Sequence, residues 1–165
     1  MIIRHAEEKD AENLAMLIRE VENTTTHMLY EPGERSFNPE SERKMISNFN
    51  AERNSAIFLA ESNGELAGYL IAKGGVAKRT LHSAYIVIGI LDNCRGRGIG
   101  TELFKELFIW APSKNIHRLE LTVKKDNEAG LALYKKMGFE IEGIKRNSLI
   151  VNDQFIDEMY MAKLL

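Results

Sequence analysis

The chain has 165 residues, of which 44% are hydrophobic and 28% are charged, a composition typical of a soluble globular domain that buries one core. The net charge of −2 excludes a general attraction to nucleic acid or to an anionic membrane, and no apolar run is long enough to span one. A chain of this length is expected to form a single domain, over residues 1–165. Because Cys94 is the only cysteine, we expect no disulfide and a location in the cytoplasm. No metal-ligand spacing occurs, so we expect no metal.

The first third of the chain predicts a strand, two helices and a long loop. Residues 1–4 form a short strand, and the helical spacing of apolar residues over 14–21 predicts a helix capped by Asp10. A second helix is predicted over residues 41–49. The segment 23–39 between the helices contains two prolines and no hydrophobic period, which indicates a loop. Loops of this length in compact domains are often functional.

The middle of the chain predicts a hairpin and a buried strand. Asn63-Gly64 separates the apolar runs 57–60 and 66–72, and this dipeptide is a strong short-range hairpin signal. Residues 84–91 are rich in β-branched side chains, as expected for a strand inside a sheet.

A glycine-rich turn follows this strand and begins a helix that we expect Pro112 to end. The turn contains Arg95, Gly96, Arg97, Gly98 and Gly100. Glycines leave the N–H groups at a helix start uncovered, and these donors together with the helix dipole favour a phosphate, to which the two arginines add hydrogen bonds. The alternative is a tight turn in which glycine serves only positive φ and close packing.

The last third of the chain predicts a strand, a helix and a final hairpin. In residues 116–123, Leu119, Leu121 and Val123 alternate with Glu120, Thr122 and Lys124. A helix begins at Asn127 and ends at Gly138. Two apolar runs on either side of Asn152-Asp153 complete the chain. The order β-α-α-β-β-β-α-β-α-β-β predicts a mixed sheet with helices on both faces.

Two segments resemble a known family. The glycine turn lacks the Lys-Ser/Thr of a nucleoside triphosphate loop and the spacing of a dinucleotide site, but matches Arg/Gln-x-x-Gly-x-Gly/Ala over residues 95–100. Residues 127–139 resemble a segment that begins with Asn and ends with Leu-Tyr-x-x-x-Gly-Phe. Together they resemble the GNAT superfamily of acyl-CoA-dependent N-acyltransferases, near the branches that act on ribosomal proteins, polyamines and small amines.

The resemblance implies an α/β (α+β) fold with a largely antiparallel sheet of about seven strands, splayed between strands 4 and 5. The pantetheine arm of acetyl-CoA would lie in this gap as a pseudo-strand. The residues that the resemblance assigns to acetyl-CoA are Ile88, Gly89, Ile90, Arg95, Gly96, Arg97, Gly98, Ile99, Gly100, Thr101, Asn127, Tyr134 and Lys136.

The same resemblance implies an N-acetyltransferase that needs no covalent enzyme intermediate. Tyr134 would protonate the leaving thiolate, and the backbone N–H of Ile90 would face the thioester carbonyl. Some relatives carry a glutamate base five residues before the Asn, where this chain has Thr122. Glu120 on the same strand face is therefore only a candidate base, and deprotonation by water or capture of a neutral amine stay open.

The acceptor site is expected in the segments 23–39 and 77–82 and in the final hairpin. The candidate substrate residues are Glu22, Tyr30 and Glu31. Acidic groups at the turn 31–35 would attract a cationic amine, although the pattern favours a plain solvent-facing turn slightly more.

Other functions stay open at this stage. A non-catalytic acyl-CoA sensor would keep the glycine turn without needing Tyr134. A protein that binds nucleotides or nucleic acid through the basic turn is disfavoured by the net charge. The apolar strand at residues 159–165 would allow a homodimer through its edge.

Overall fold

The computed structural model describes residues 1–165 as seven strands and four helices. The strands are β1 (Ile2–His5), β2 (Ala56–Ser62), β3 (Glu65–Gly74), β4 (Ser83–Ile90), β5 (Arg118–Lys124), β6 (Glu140–Val151) and β7 (Gln154–Leu164). The helices are α1 (Ala11–Thr24), α2 (Pro39–Ala51), α3 (Ile99–Ser113) and α4 (Glu128–Lys136). No helix is both long and apolar enough to cross a membrane.

The seven strands form one sheet in the order β1-β2-β3-β4-β5-β7-β6. Every neighbouring pair is antiparallel except β4 and β5, which are parallel. Both predicted hairpins are present, and their turn residues adopt positive φ, with values of 54° at Asn63, 82° at Gly64, 51° at Asn152 and 60° at Asp153. A two-residue hairpin requires this backbone conformation. The predicted mixed, largely antiparallel sheet is confirmed.

The sheet opens between its two parallel strands. β4 and β5 pair only at Ser83↔Arg118, Ala84↔Leu119 and Tyr85↔Glu120. Beyond these residues β4 is paired only with β3, and β5 only with β7. We refer to the gap between residues 86–90 of β4 and residues 121–124 of β5 as the cleft. It confirms the predicted splay.

Helices cover both faces of the sheet. On β2, Phe58 packs in the core with α3 and α4, whereas Ile57 and Leu59 pack in the core with α1 and α2. This alternation follows from the two-residue period of a strand. We refer to the two sides as the α3–α4 face and the α1–α2 face.

The predicted capping of α1 by Asp10 is wrong. A short 3-10 turn precedes the helix, and the Asp10 side chain accepts the Glu7 N–H at 2.8 Å within that turn. The same carboxylate accepts two hydrogen bonds from the Arg4 guanidinium, at 2.7 and 2.9 Å. Asp10 therefore joins β1 to the start of α1 as one side of an ion pair.

Two helix ends also differ from the prediction. α2 begins at Pro39, two residues earlier than its hydrophobic spacing indicates, because the Asn38 side chain accepts the Glu40 N–H at 2.9 Å and caps it. α3 includes Pro112 in its last turn and ends at Ser113.

The Arg4–Asp10 pair yields a stability prediction. The carboxylate is 6% exposed, and its hydrogen bonds with Arg4 keep the pKa of Asp10 below its ordinary value. Asp10→Asn is expected to lower the free energy of unfolding by about 2 kcal/mol at pH 7. Because the folded-state pKa is depressed, this contribution is complete above the unfolded-state pKa of about 4 and disappears as the pH falls through the folded-state value. Urea unfolding at pH 7 and pH 3 measures both effects.

Glu61→Gln is the matched control, since Glu61 also bonds Arg4 at 3.0 Å but is 27% exposed. It should cost less than about 1 kcal/mol. An Asp10→Asn effect as small as the control, or one that is unchanged at pH 3, would contradict this account.

Candidate active site

The cleft exposes backbone groups of β4. The N–H of Leu91 donates to the Ala67 carbonyl at 3.0 Å, and the His82 carbonyl accepts the Arg118 N–H at 3.0 Å. Because the backbone groups of successive strand residues point to opposite sides, odd-numbered residues of this strand face β3 and even-numbered residues face β5. Ile88 and Ile90 therefore direct their N–H and C=O groups into the cleft, where β5 offers no partner.

Free N–H groups also occur in the turn from β4 to α3. The first helical bond runs from the Glu102 N–H to the Gly98 carbonyl at 3.1 Å, and none of the N–H groups of residues 96–101 has an acceptor in the protein. We call these residues the amide segment. Gly96 and Gly98 have φ values of 72° and 81°, with open space where a side chain would lie. Successive free amides at a helix N-terminus form an anion site.

Gly100 has a different role from the other two glycines. A Cβ at this position would lie 2.7 Å from Cδ2 of Leu133, so the glycine allows α4 to pack closely on α3. Close packing, as in the alternative interpretation of the turn, therefore explains Gly100, whereas the anion site at the free amides stays a prediction. α4 also approaches the amide segment at Lys136, whose Nζ donates to Thr101 Oγ1 at 3.2 Å.

The two arginines of the turn differ in their surroundings. Arg95 lies 3.1 Å from the Asp92 carboxylate, whereas Arg97 forms no ion pair and is exposed. Arg97 is thus the arginine with all of its donors available to an anion.

Asn127 and Tyr134 lie at the two ends of α4. The Asn127 Oδ1 accepts the Gly130 N–H at 2.9 Å and caps the helix, which leaves its NH₂ group as a donor. Tyr134 is buried against Phe104, with ring centroids 6.0 Å apart, and its hydroxyl has no hydrogen-bond partner. Burial first, and the nearby Tyr85 second, raise the pKa of Tyr134 to about 12, so the phenol stays protonated at neutral pH.

Glu120, the candidate base, is held in an ion pair. Arg118 Nε donates to its carboxylate at 2.8 Å and the two Nη groups bind Glu142 at 2.7 and 2.6 Å. The charge of Glu120 is thus already compensated. Because Leu119 and Leu121 pack on the α3–α4 face, Glu120 between them faces the α1–α2 side.

Lys124 is buried, contrary to the predicted alternation. It is 3% exposed, its Nζ donates to the Thr26 carbonyl at 3.0 Å, and it lies 3.5 Å from Asp126. The loop after α1 covers this end of β5, which local periodicity could not indicate. Between Glu120 and Lys124, Thr122 stays partly exposed on the same strand face.

The loop between α1 and α2 carries the other candidate residues. Glu22 is 2% exposed and pairs with Arg35, whose guanidinium lies 4.1 Å from the Tyr30 ring centroid and 5.1 Å from that of Phe37. Arg35 therefore brings Glu22 and Tyr30 together. Sequence reasoning missed Arg35, because an arginine in an aperiodic loop gives no signal of its partner.

Glu31 lies apart from this cluster. It lines a groove of about 470 Å³ between the loop and the β6–β7 hairpin. The other lining residues are Leu29, Glu34, Asn147, Ser148, Leu149, Ile150 and Phe155. The groove combines two carboxylates with apolar side chains.

Comparison with known proteins identifies the family. Residues 23–139, more than half of the chain, match the model of the Acetyltransferase (GNAT) family. The chain belongs to the GNAT family. It is 31% identical over 103 residues to the L-amino acid N-acetyltransferase AaaT of Escherichia coli, and the aligned region covers 62% of this chain and 64% of that protein. It is 38% identical over 91 residues to the N-alpha-acetyltransferase RimI of Mycobacterium tuberculosis, and the aligned region covers 53% of each protein.

A solved member of the GNAT family has the same fold. The acetyltransferase of GNAT family from Streptococcus pneumoniae superimposes with a TM-score of 0.95 at 31% identity, over 99% of this chain and 98% of that one. The two curated relatives are matched over only about half to two thirds of their length.

The β4 edge of the cleft yields a second prediction. A Cβ at Gly89 would lie 2.5, 2.6 and 2.7 Å from the Cε1, Cζ and Oη atoms of Tyr69. Gly89→Ala is expected to destabilise the protein by about 2 kcal/mol, since a methyl group does not fit in this packed site. Gly143→Ala is the matched control, because a Cβ there meets nothing within 4 Å. Thermal unfolding of the two variants compares them, and equal transition temperatures would contradict the packing described.

Proposed function

We propose that this member of the GNAT family is an acetyl-CoA-dependent N-acetyltransferase that acetylates a primary amine by direct attack in a ternary complex. The observation that carries the proposal is the succession of two unpaired backbone surfaces along one segment of the chain. The cleft-facing groups of Ile88 and Ile90 are followed, after the short turn at residues 91–95, by the free N–H groups of the amide segment. A ligand with an amide-bearing arm and a pyrophosphate fits both surfaces at once.

The pyrophosphate and the pantetheine arm of acetyl-CoA each have a partner in this arrangement. The amide segment and Arg97 bind the pyrophosphate, and Lys136 lies beside them at Thr101. The pantetheine amides pair with the cleft edge of β4 as an added strand would. Asn127 contributes its NH₂ group to the arm, since its oxygen caps α4.

The transfer forms a bond between the amine nitrogen and the acetyl carbon and breaks the bond from that carbon to sulfur. The nitrogen loses one proton and the sulfur gains one. The N–H of Ile90 stabilises the oxyanion that develops on the acetyl oxygen. Tyr134 donates the proton to sulfur, because its buried phenol is protonated and its hydroxyl has no other partner.

The acceptor is proposed to approach from the α1–α2 face. The groove beside Glu31 supplies two carboxylates and the aromatic ring of Phe155, which suit an amine, whereas Glu22 and Tyr30 are already in contact with Arg35. The names of the matched relatives, which act on L-amino acids and on N-alpha groups, support an acceptor of this kind. Because Arg118 compensates Glu120, we assign removal of the amine proton to water rather than to Glu120.

Replacement of the Tyr134 hydroxyl tests the proton donor. Tyr134→Phe keeps the packing and is expected to lower kcat about 100-fold, the usual contribution of a general acid. The affinity for acetyl-CoA should change less than twofold, since the ring stays in place. Thiol release from acetyl-CoA against a panel of amines measures the effect.

Tyr160→Phe is the matched control, because Tyr160 is exposed and its hydroxyl makes no hydrogen bond. A Tyr134→Phe enzyme as active as this control would contradict the assignment. Tight binding of acetyl-CoA without release from any amine would instead indicate a sensor of acyl-CoA.

Substitution of Arg97 tests whether the turn into α3 binds the pyrophosphate of acetyl-CoA. Arg97→Gln is expected to weaken acetyl-CoA binding about fivefold at low salt, which corresponds to about 1 kcal/mol, and less at high salt. Arg53→Gln removes an equally exposed charge far from the turn in sequence and should leave the affinity unchanged. Isothermal titration at two salt concentrations compares them. An equal effect of both substitutions would show that only the net charge matters.

A further inference from the structure

Two hydroxyl groups meet where β4 and β5 separate, and the function proposed above does not use them. Tyr85 Oη lies 2.8 Å from Thr122 Oγ1, and the backbone N–H of Thr122 donates to the same Tyr85 oxygen at 3.3 Å. Tyr85 is the last residue of β4 that pairs with β5. Thr122 lies two residues beyond Glu120, the last residue of β5 that pairs with β4.

The hydroxyl of Tyr85 takes the place of a backbone acceptor. The parallel ladder includes the bond from the Arg118 N–H to the His82 carbonyl, and such a ladder advances by two residues on each strand. The N–H of Thr122 would continue it to a carbonyl of β4, but the strands have parted. A side-chain oxygen satisfies this donor instead, so Tyr85 ends the ladder and fixes the inner end of the cleft.

The hydroxyl pair retains hydrogen-bonding capacity for a ligand. Either hydroxyl can donate in the bond between Tyr85 Oη and Thr122 Oγ1. In both arrangements Thr122 Oγ1 keeps at least one lone pair free to accept a hydrogen bond. The Tyr85 side chain is partly open to solvent, with 40% of the residue exposed.

The neighbouring polar groups on this face of β5 are already occupied. Glu120 is paired with Arg118, and Lys124 is buried against Thr26. Thr122 is therefore the polar side chain of β5 that an incoming amine can reach on the α1–α2 face.

Thr122 also lies on the opposite wall of the cleft from the unpaired edge of β4. The register Tyr85↔Glu120 places Thr122 across the cleft from Val87, one residue and about 3.3 Å along the strand from Ile88. Ile88 carries the first of the free N–H groups proposed to hold the thioester arm.

We infer that Thr122 Oγ1 accepts a hydrogen bond from the acceptor amine and that Tyr85 is the positioning residue that holds Thr122 in place. The hydrogen bond orients the nitrogen lone pair toward the acetyl carbon. This inference rests on the proposed N-acetyltransferase function. Thr122 would then be an uncharged binding group for the amine on β5, the strand on which Arg118 neutralises the charge of Glu120.

Substitutions at Thr122 separate this role from a purely structural one. Thr122→Val keeps the shape and removes the hydroxyl, and kcat/KM for a primary amine should fall about tenfold, as expected for one hydrogen bond. Thr122→Ser restores the hydroxyl and should stay within about threefold of wild type. For both variants, the Kd of acetyl-CoA, measured by titration, and the Tm should not change, because the amine contact is not part of the donor site.

Tyr85→Phe tests the positioning role. It should reduce kcat/KM for the amine about fivefold in the wild-type background and have little further effect when combined with Thr122→Val, because the two hydroxyls act as one unit. Tyr160→Phe is the matched control, since Tyr160 lies opposite Thr122 on β7 and its hydroxyl makes no hydrogen bond. Its kinetics should equal those of wild type.

Three outcomes would overturn the inference while the wild type remains active: normal kcat/KM in Thr122→Val, a Thr122→Ser enzyme as impaired as Thr122→Val, or a loss confined to acetyl-CoA affinity and Tm. A wild-type enzyme that binds acetyl-CoA but acetylates no amine would overturn the transferase function and this inference together.

Discussion

The structure depends on the parallel pairing of β4 and β5, which stops after three residue pairs. A parallel pair requires a crossover helix, and α3 follows β4 after the turn at residues 91–98, so its free N-terminal amides come soon after the opened edge of that strand. The divergence of the strands creates the cleft, and the turn into α3 leaves the N–H groups of the amide segment without acceptors. The two surfaces are adjacent because one strand supplies the edge of the first and leads into the second.

Buried charges keep the loop between α1 and α2 over one side of the cleft. Lys124 anchors the loop at Thr26, and Arg35 binds the buried Glu22. Breaking either contact would leave a charge buried without a partner, which is costly. The loop is therefore a fixed wall on the α1–α2 face, while Tyr134 lies on the α3–α4 face among aromatic side chains.

Local chemistry made much of the fold predictable. Asn63-Gly64 indicated its hairpin because few residues adopt the required positive φ, and the glycine turn indicated the free amides at α3. Contacts between distant residues were not predictable. The partner of Lys124 lies in the loop after α1, and the Arg118 that pairs with Glu120 is shared with Glu142 of β6. The role of Gly100 depends on Leu133 of a later helix. The pairing of Tyr85 with Thr122 likewise exists only because two strands meet and then separate.

Amide-resolved hydrogen exchange with and without acetyl-CoA tests the central claim most directly. In the free protein the amides of Ile88, Ile90 and the amide segment have no acceptor and should exchange rapidly. Bound acetyl-CoA should slow exchange at these positions together, while amides of the β6–β7 hairpin stay unchanged. Unchanged exchange in the amide segment at saturating acetyl-CoA, or protection confined to the groove beside Glu31, would contradict the account.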